Sequence, residues 1–141
     1  MVQLIVGKKG KGKTKHLLEK ANTEIKEASG NFAYLDKSSK HMYELNNKIR
    51  LIDVSAFPLK NSDEFVGFIC GVISRDRDIE KMFLDSFMRL THLEEHPDQI
   101  ADCIRQLKDI SDQFHVDFVV SVSLDKEELD SEFYDDILLA L

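Results

Sequence analysis

Short apolar runs of strand length alternate with longer stretches of helical periodicity along the chain. Residues 2–6, Val-Gln-Leu-Ile-Val, predict a first strand. Thr14, Leu17, Leu18, Ala21, Ile25 and Ala28 then recur at three- and four-residue intervals, which predicts a helix over 14–28 with one apolar face. Ser29-Gly30-Asn31 ends it, and Phe32-Ala33-Tyr34-Leu35 predicts a second strand stopping at Asp36. Residues 37–47 are polar, with at most a short helix around 41–46, and a third strand is expected over 49–54. Asn61 and Glu64 have capping-box spacing, and Phe65, Val66, Phe68, Ile69, Val72 and Ile73 give the helix behind them an apolar face.

Met82-Phe83-Leu84 predicts a short buried strand ending at Asp85. Pro97 suits the first turn of a helix reaching residue 114, with Ile100, Ile104, Leu107, Ser111 and Phe114 along one side. Val116 through Val122 is the strongest β-run. Asp125 and Glu128 again have capping-box spacing, and Leu129, Phe133, Ile137 and Leu141 recur four apart, which predicts a final helix. Five strands alternating with amphipathic helices indicate an α/β fold with a mostly parallel sheet covered on both faces.

The 141 residues, 43% of them hydrophobic, suit one ordered domain over 1–141. Net charge is −7, yet residues 1–20 carry six lysines against one glutamate, so the remainder is strongly acidic. The basic cluster suits phosphate, and the acidic bulk argues against direct nucleic-acid binding. Cys70 and Cys103 fall on apolar helix faces without metal-ligand spacing, which points to a reducing, cytoplasmic setting. The apolar start is short for a signal segment, and no stretch approaches a membrane span, so no membrane partner is expected.

The most informative stretch lies between the first strand and the first helix. Gly7-Lys8-Lys9-Gly10-Lys11-Gly12-Lys13-Thr14 matches the pattern G-x-x-x-x-G-K-[ST]. Glycines there admit backbone angles and a close approach that side chains would block. Successive N–H groups and a helix N-terminus converge on phosphate oxygens. Lys13 is expected to reach the β- and γ-phosphates, and the Thr14 hydroxyl to ligate Mg2+. Lys8, Lys9 and Lys11 either raise anion affinity or stay in solvent.

On these residues the chain resembles a small P-loop nucleoside triphosphatase, a reduced relative of the RecA-type ATPase core. The resemblance extends to Met82-Phe83-Leu84-Asp85-Ser86, similar to a Walker B strand, and to Ser121-Val122-Ser123 at a polar strand end. It implies an α/β/α sandwich, with the Asp85 strand close to the phosphate-loop strand. It also implies ATP and Mg2+ as cofactors.

A P-loop site needs a carboxylate near Thr14 to hold hydrated Mg2+, and Asp85 is the first candidate, with Asp53 as the rival. Hydrolysis also needs a group that orients water. RecA-like enzymes commonly place a glutamate shortly after the second strand, where this chain has Asp36 and no glutamate. Lys13 and Asp36 are therefore the catalytic candidates, and efficient turnover is not expected from them alone. Arg50, Arg75, Arg77, Arg89 and Arg105 are candidate phosphate or partner contacts, although Arg75 and Arg77 are interleaved with Asp76 and Asp78, which suggests local pairing.

His92 and His96 are four apart but lack the glutamate order of a zinc helix, and no nucleophile elbow is present. The expected function is purine nucleotide binding, ATP rather than GTP by resemblance, with slow Mg2+-dependent hydrolysis. A small nucleotide or metabolite kinase, and a non-hydrolysing nucleotide-responsive interaction protein, are the alternatives. A homo-oligomer or a protein partner would be two ways of completing such a site.

Overall fold

The computed structural model describes residues 1–141. Its strands are β1 (Val2–Val6), β2 (Asn31–Asp36), β3 (Ile49–Asp53), β4 (Ile79–Leu84), β5 (Asp117–Val122) and β6 (Ile137–Ala140). They form one sheet in the order β3-β2-β4-β5-β1-β6, with every neighbouring pair parallel. The α-helices are α1 (Lys13–Glu24), α2 (Ser62–Arg75), α3 (Phe87–Leu90) and α4 (Ile100–Phe114), and short 3-10 turns fill several of the connections.

The period of two along each strand sorts the core into two layers. Leu4, Leu35, Met82, Leu84, Phe118 and Val120 join the cluster beneath α2 and α4. Ile5, Phe32, Tyr34, Phe83 and Val119 join the cluster beneath α1, against Leu17, Leu18, Ala21 and Ile25. Central strands buried on both faces are near-continuous apolar runs, as parallel sheets require. Connections carrying the chain from β1 toward β3 run on the α1 face, and those carrying it back toward β6 run on the other. A constant crossover handedness demands this division. The fold is the expected α/β class in three layers.

The sheet has six strands rather than five, and the predicted final helix does not form. Residues Lys126–Glu128 and Ser131–Asp136 are 3-10 turns, and Ile137–Ala140 pairs in parallel with β1. The capping box of Asp125 and Glu128 is present, but it starts a single turn. Asp130 then caps a second turn by accepting from the Glu132 N–H at 3.0 Å. The four-residue spacing of Leu129 and Phe133 is satisfied by these turns, which bury both side chains against the sheet. Pairing with the free edge of β1 satisfies a row of backbone groups that a helix would have left open. Tertiary pairing thus overrides the local period.

One other expectation shifts. β4 begins at Ile79, before the apolar triplet, because its polar residues have partners: Glu80 accepts from the Gly30 N–H at 3.0 Å, and Lys81 pairs with Glu24. The strand leading to Asp85 lies close to the phosphate-loop strand, with β5 alone between β4 and β1. No helix is long and apolar enough to cross a membrane.

Candidate functional site

The loop after β1 sits at the carboxyl end of the sheet. β1 leads into α1 on one face, while neighbouring β5 leads into the connection on the opposite face. Such a divergence opens a crevice beyond the strand ends. A cavity of about 840 Å3 occupies it, lined by Lys8, Lys9, Gly10, Gly12, Lys13 and Thr14 from the loop. Gly7 itself lies behind the cavity, with its N–H donating to the Leu124 carbonyl at 2.8 Å. Lys11 points to solvent.

Backbone geometry explains the glycines at the two ends of this loop. Gly7 has φ 149°, and an added Cβ would stand 3.1 Å from the Cβ and carbonyl oxygen of Leu141. Gly12 has φ 89° and caps α1 from the left-handed region, so the chain turns directly from loop to helix. The first turn of α1 contains no acidic residue and carries Lys13 and Lys15. That is the reverse of what the helix dipole favours, whereas α2 opens with Asp63 and Glu64. An anion at the α1 N-terminus would offset the excess positive charge there.

Lys13 is buried, and its ammonium closes the loop by donating to the carbonyls of Gly7 at 2.7 Å and Lys8 at 3.1 Å. Burial lowers its pKa; the Asp85 carboxylate opposes that shift, and Lys9 adds to it. Lys8 pairs with Glu128, and Lys9 with Glu94 at 2.9 Å, so two exposed ion pairs tie the loop to segments after β5 and α3.

Asp85, 2% exposed at the end of β4, is held by hydroxyls from three elements. Thr14 of α1 donates to its Oδ1 at 3.2 Å, Ser121 of β5 to the same oxygen at 3.0 Å, and Tyr34 of β2 to Oδ2 at 2.8 Å. The structure therefore brings Thr14 and Asp85 together across 71 residues of sequence. Ser121 also accepts from the Ser86 N–H at 2.9 Å, which positions the turn after β4. Ser123 lines the cavity.

Asp53 is elsewhere. It ends the edge strand β3 and accepts from the N–H and hydroxyl of Ser55. Asp36 ends β2, is 2% exposed and does not line the cavity. Its Oδ1 accepts from the Lys37 N–H at 2.7 Å, while Oδ2 has no partner. Burial raises its pKa, and the charge of Asp85 raises it further. His92 and His96 are exposed on turns rather than on a helix.

Several residues in and behind the cavity escape a linear reading. Tyr34 has only the alternation of β2 to place it on the α1 face. Lys37, Glu95 and Glu128 come from three inter-strand connections that meet only in three dimensions, and Arg89, one of the five candidate arginines, joins them from α3. Glu94 and Glu95, distant from any strand in sequence, both reach the cavity.

The donor set suits Mg2+ better than a metal held wholly by protein. No group of three or more histidine, cysteine or acidic side chains is assembled to hold an ion. Mg2+ at phosphate sites takes one or two protein oxygens beside phosphate and water, and Thr14 and Asp85 offer such a pair. Neither a protein-family model nor a curated protein matches the chain.

Proposed function

We propose that this chain is a P-loop nucleotide-binding protein of RecA-like type, taking ATP with Mg2+ in the crevice beyond β1, β4 and β5. The observation that carries the reading is the Thr14–Asp85 contact, made beside a buried Lys13 at the acid-free N-terminus of α1. In this reading the loop N–H groups and Lys13 hold the phosphates, and Thr14 and Asp85 hold the cation. The cation would supply charge neutralisation at the phosphates. Ser121 and Tyr34 keep the Asp85 carboxylate oriented. Lys13 exchanges its two carbonyl partners for phosphate oxygens, a stronger acceptor for an ammonium.

Binding with slow turnover is favoured over fast hydrolysis. Asp36 stands outside the cavity, and Glu94 and Glu128 are engaged by lysines. The same ion pairs favour a response in the loops after α3 and β5 when the phosphate loop is occupied, which supports the interaction-protein form of the reading.

Titration calorimetry with Mg-ATP tests the proposal. Wild type is expected to bind, and Lys13→Ala to lose about tenfold to a hundredfold in affinity, the magnitude of charged hydrogen bonds. Wild type that binds neither Mg-ATP nor Mg-GTP would overturn it.

A further inference from the structure

A second cavity, of about 570 Å3, lies at the other edge of the sheet, between β3 and α2. α2 buries Phe65, Ile69 and Ile73 over the sheet interior and leaves β3 partly uncovered. Ala33 and Ile52 form an apolar floor, and Phe68 and Val72 form the α2 wall. Phe57, 47% exposed, leans over the opening with its ring centroid 4.9 Å from that of Phe68. The volume is that of a site for one small organic molecule.

The rim is cationic. Lys48, Arg50 and Arg75 are all exposed and line this cavity, and none is held by an ion pair or a side-chain hydrogen bond. The pairing of Arg75 and Arg77 with Asp76 and Asp78 expected from sequence is absent. Asp76, the one acidic residue of the lining, is engaged instead by the Asn31 amide at 3.1 and 3.2 Å and by the Asp78 N–H at 3.0 Å. In a chain with 26 acidic and 19 basic residues, three unpaired cations stand around one apolar hollow whose single carboxylate, Asp76, is turned to the Asn31 amide and the Asp78 N–H, and this excess of positive charge calls for an external anion.

Gly71 adds an independent sign. It lies inside α2 and lines the cavity, and a Cβ there would meet nothing within 4 Å. Packing does not require glycine at this position, and glycine inside a helix is less stable than alanine. Its effect is to keep the α2 wall recessed.

We propose that the groove between β3 and α2 binds a small organic anion with a flat apolar body, of the aromatic carboxylate class. The ring lies against Phe57 and Phe68 over Ile52, and the carboxylate is met by Arg50 and Arg75, whose planar guanidinium groups suit a two-oxygen acceptor. This site is separate from the phosphate loop and stands whether or not that loop binds nucleotide.

The chain has no tryptophan, so the fluorescence of a naphthalene probe is read against three tyrosines alone. Titrations with 2-naphthoate and with neutral 2-naphthalenemethanol are compared on wild type, Gly71→Leu, Arg50→Gln/Arg75→Gln and Lys13→Ala, each first shown to unfold cooperatively. Wild type is expected to take naphthoate at least tenfold more tightly than the alcohol. The double arginine variant should lose that preference while retaining weak binding of both. Gly71→Leu should lose both, and Lys13→Ala should match wild type. Equal or absent binding by wild type overturns the proposal, as does naphthoate binding that survives both groove variants. Loss of binding in Lys13→Ala would place the anion at the phosphate loop and overturn it equally.

Discussion

The Tyr34 hydroxyl, on β2, donates to Asp85 Oδ2 at the end of neighbouring β4 across 2.8 Å, in the buried layer beneath α1. Burial and the Asp85 charge both raise the tyrosine pKa, so the phenol is a donor at neutral pH. The Tyr34 ring stacks on Phe83 at 6.2 Å, so Tyr34→Phe removes the hydroxyl and leaves the packing. The variant should lose about 1.5–3 kcal/mol of stability, the magnitude for a hydrogen bond to a charged group. Urea unfolding measures this, and a loss below about 0.5 kcal/mol, the level of ordinary surface changes, would deny the contact a structural role.

Asp36 makes stability depend on pH in a defined direction. Its folded pKa is raised, first by burial and then by Asp85. The folded state therefore favours the protonated carboxyl. That contribution is complete below the ordinary aspartate range and is lost as pH rises through the folded value. Asp36→Asn removes the titration. The difference in urea midpoint should shift in favour of the variant as pH rises from acidic to neutral. Parallel curves for the two proteins would contradict the raised pKa.

The ion pairs Lys8–Glu128 and Lys9–Glu94 are exposed, so Glu94→Gln/Glu128→Gln should leave stability close to that of wild type. Removing two negative charges and freeing two lysines beside the proposed phosphate site should raise Mg-ATP affinity about threefold to tenfold at low salt. The gain should shrink at high salt as screening grows. Calorimetry at two ionic strengths reads both effects, and unchanged affinity would mean that the pairs do not oppose the ligand.

Gly7→Ala tests the contact behind the phosphate loop. The new Cβ would meet Leu141 at 3.1 Å while the backbone stays at φ 149°. A cost of about 1–3 kcal/mol follows from strain of this kind. Hydrogen exchange should accelerate at the Leu141 amide, which donates to the Val6 carbonyl at 2.9 Å. Wild-type protection at that amide would show that the edge absorbs the methyl group.

Much of the frame was legible because local signals and burial agree. β1, the loop glycines and the α1 stripe each have one physical solution, and Asn61 caps α2 through the Glu64 N–H at the expected spacing. The misreadings arise where partners distant in sequence decide. Glu80 and Lys81 look unlike strand residues until Gly30 and Glu24 are placed beside them. Ile137 and Leu141 keep helical spacing with Leu129 and Phe133, yet the open edge of β1 draws 137–140 into the sheet. At the candidate site, Lys13, Thr14 and Asp85 could be named from motif and strand end. Arg89 could be offered only as one of five arginines, and Tyr34 and Lys37 not at all, because no short spacing connects them to the loop.

The ring of oxygen groups around Asp85 has a consequence for responsiveness. Thr14, Ser121 and Tyr34 hold the carboxylate without an ammonium or guanidinium in direct contact. Each hydroxyl is a rotor that can present a proton or a lone pair from nearly the same oxygen position. A change of charge in the crevice can therefore be met by turning O–H bonds rather than by breaking a fixed ion pair. The Thr14 hydroxyl can turn a lone pair toward a cation while Ser121 and Tyr34 still donate to the carboxylate, and the heavy atoms of the sheet stay in place.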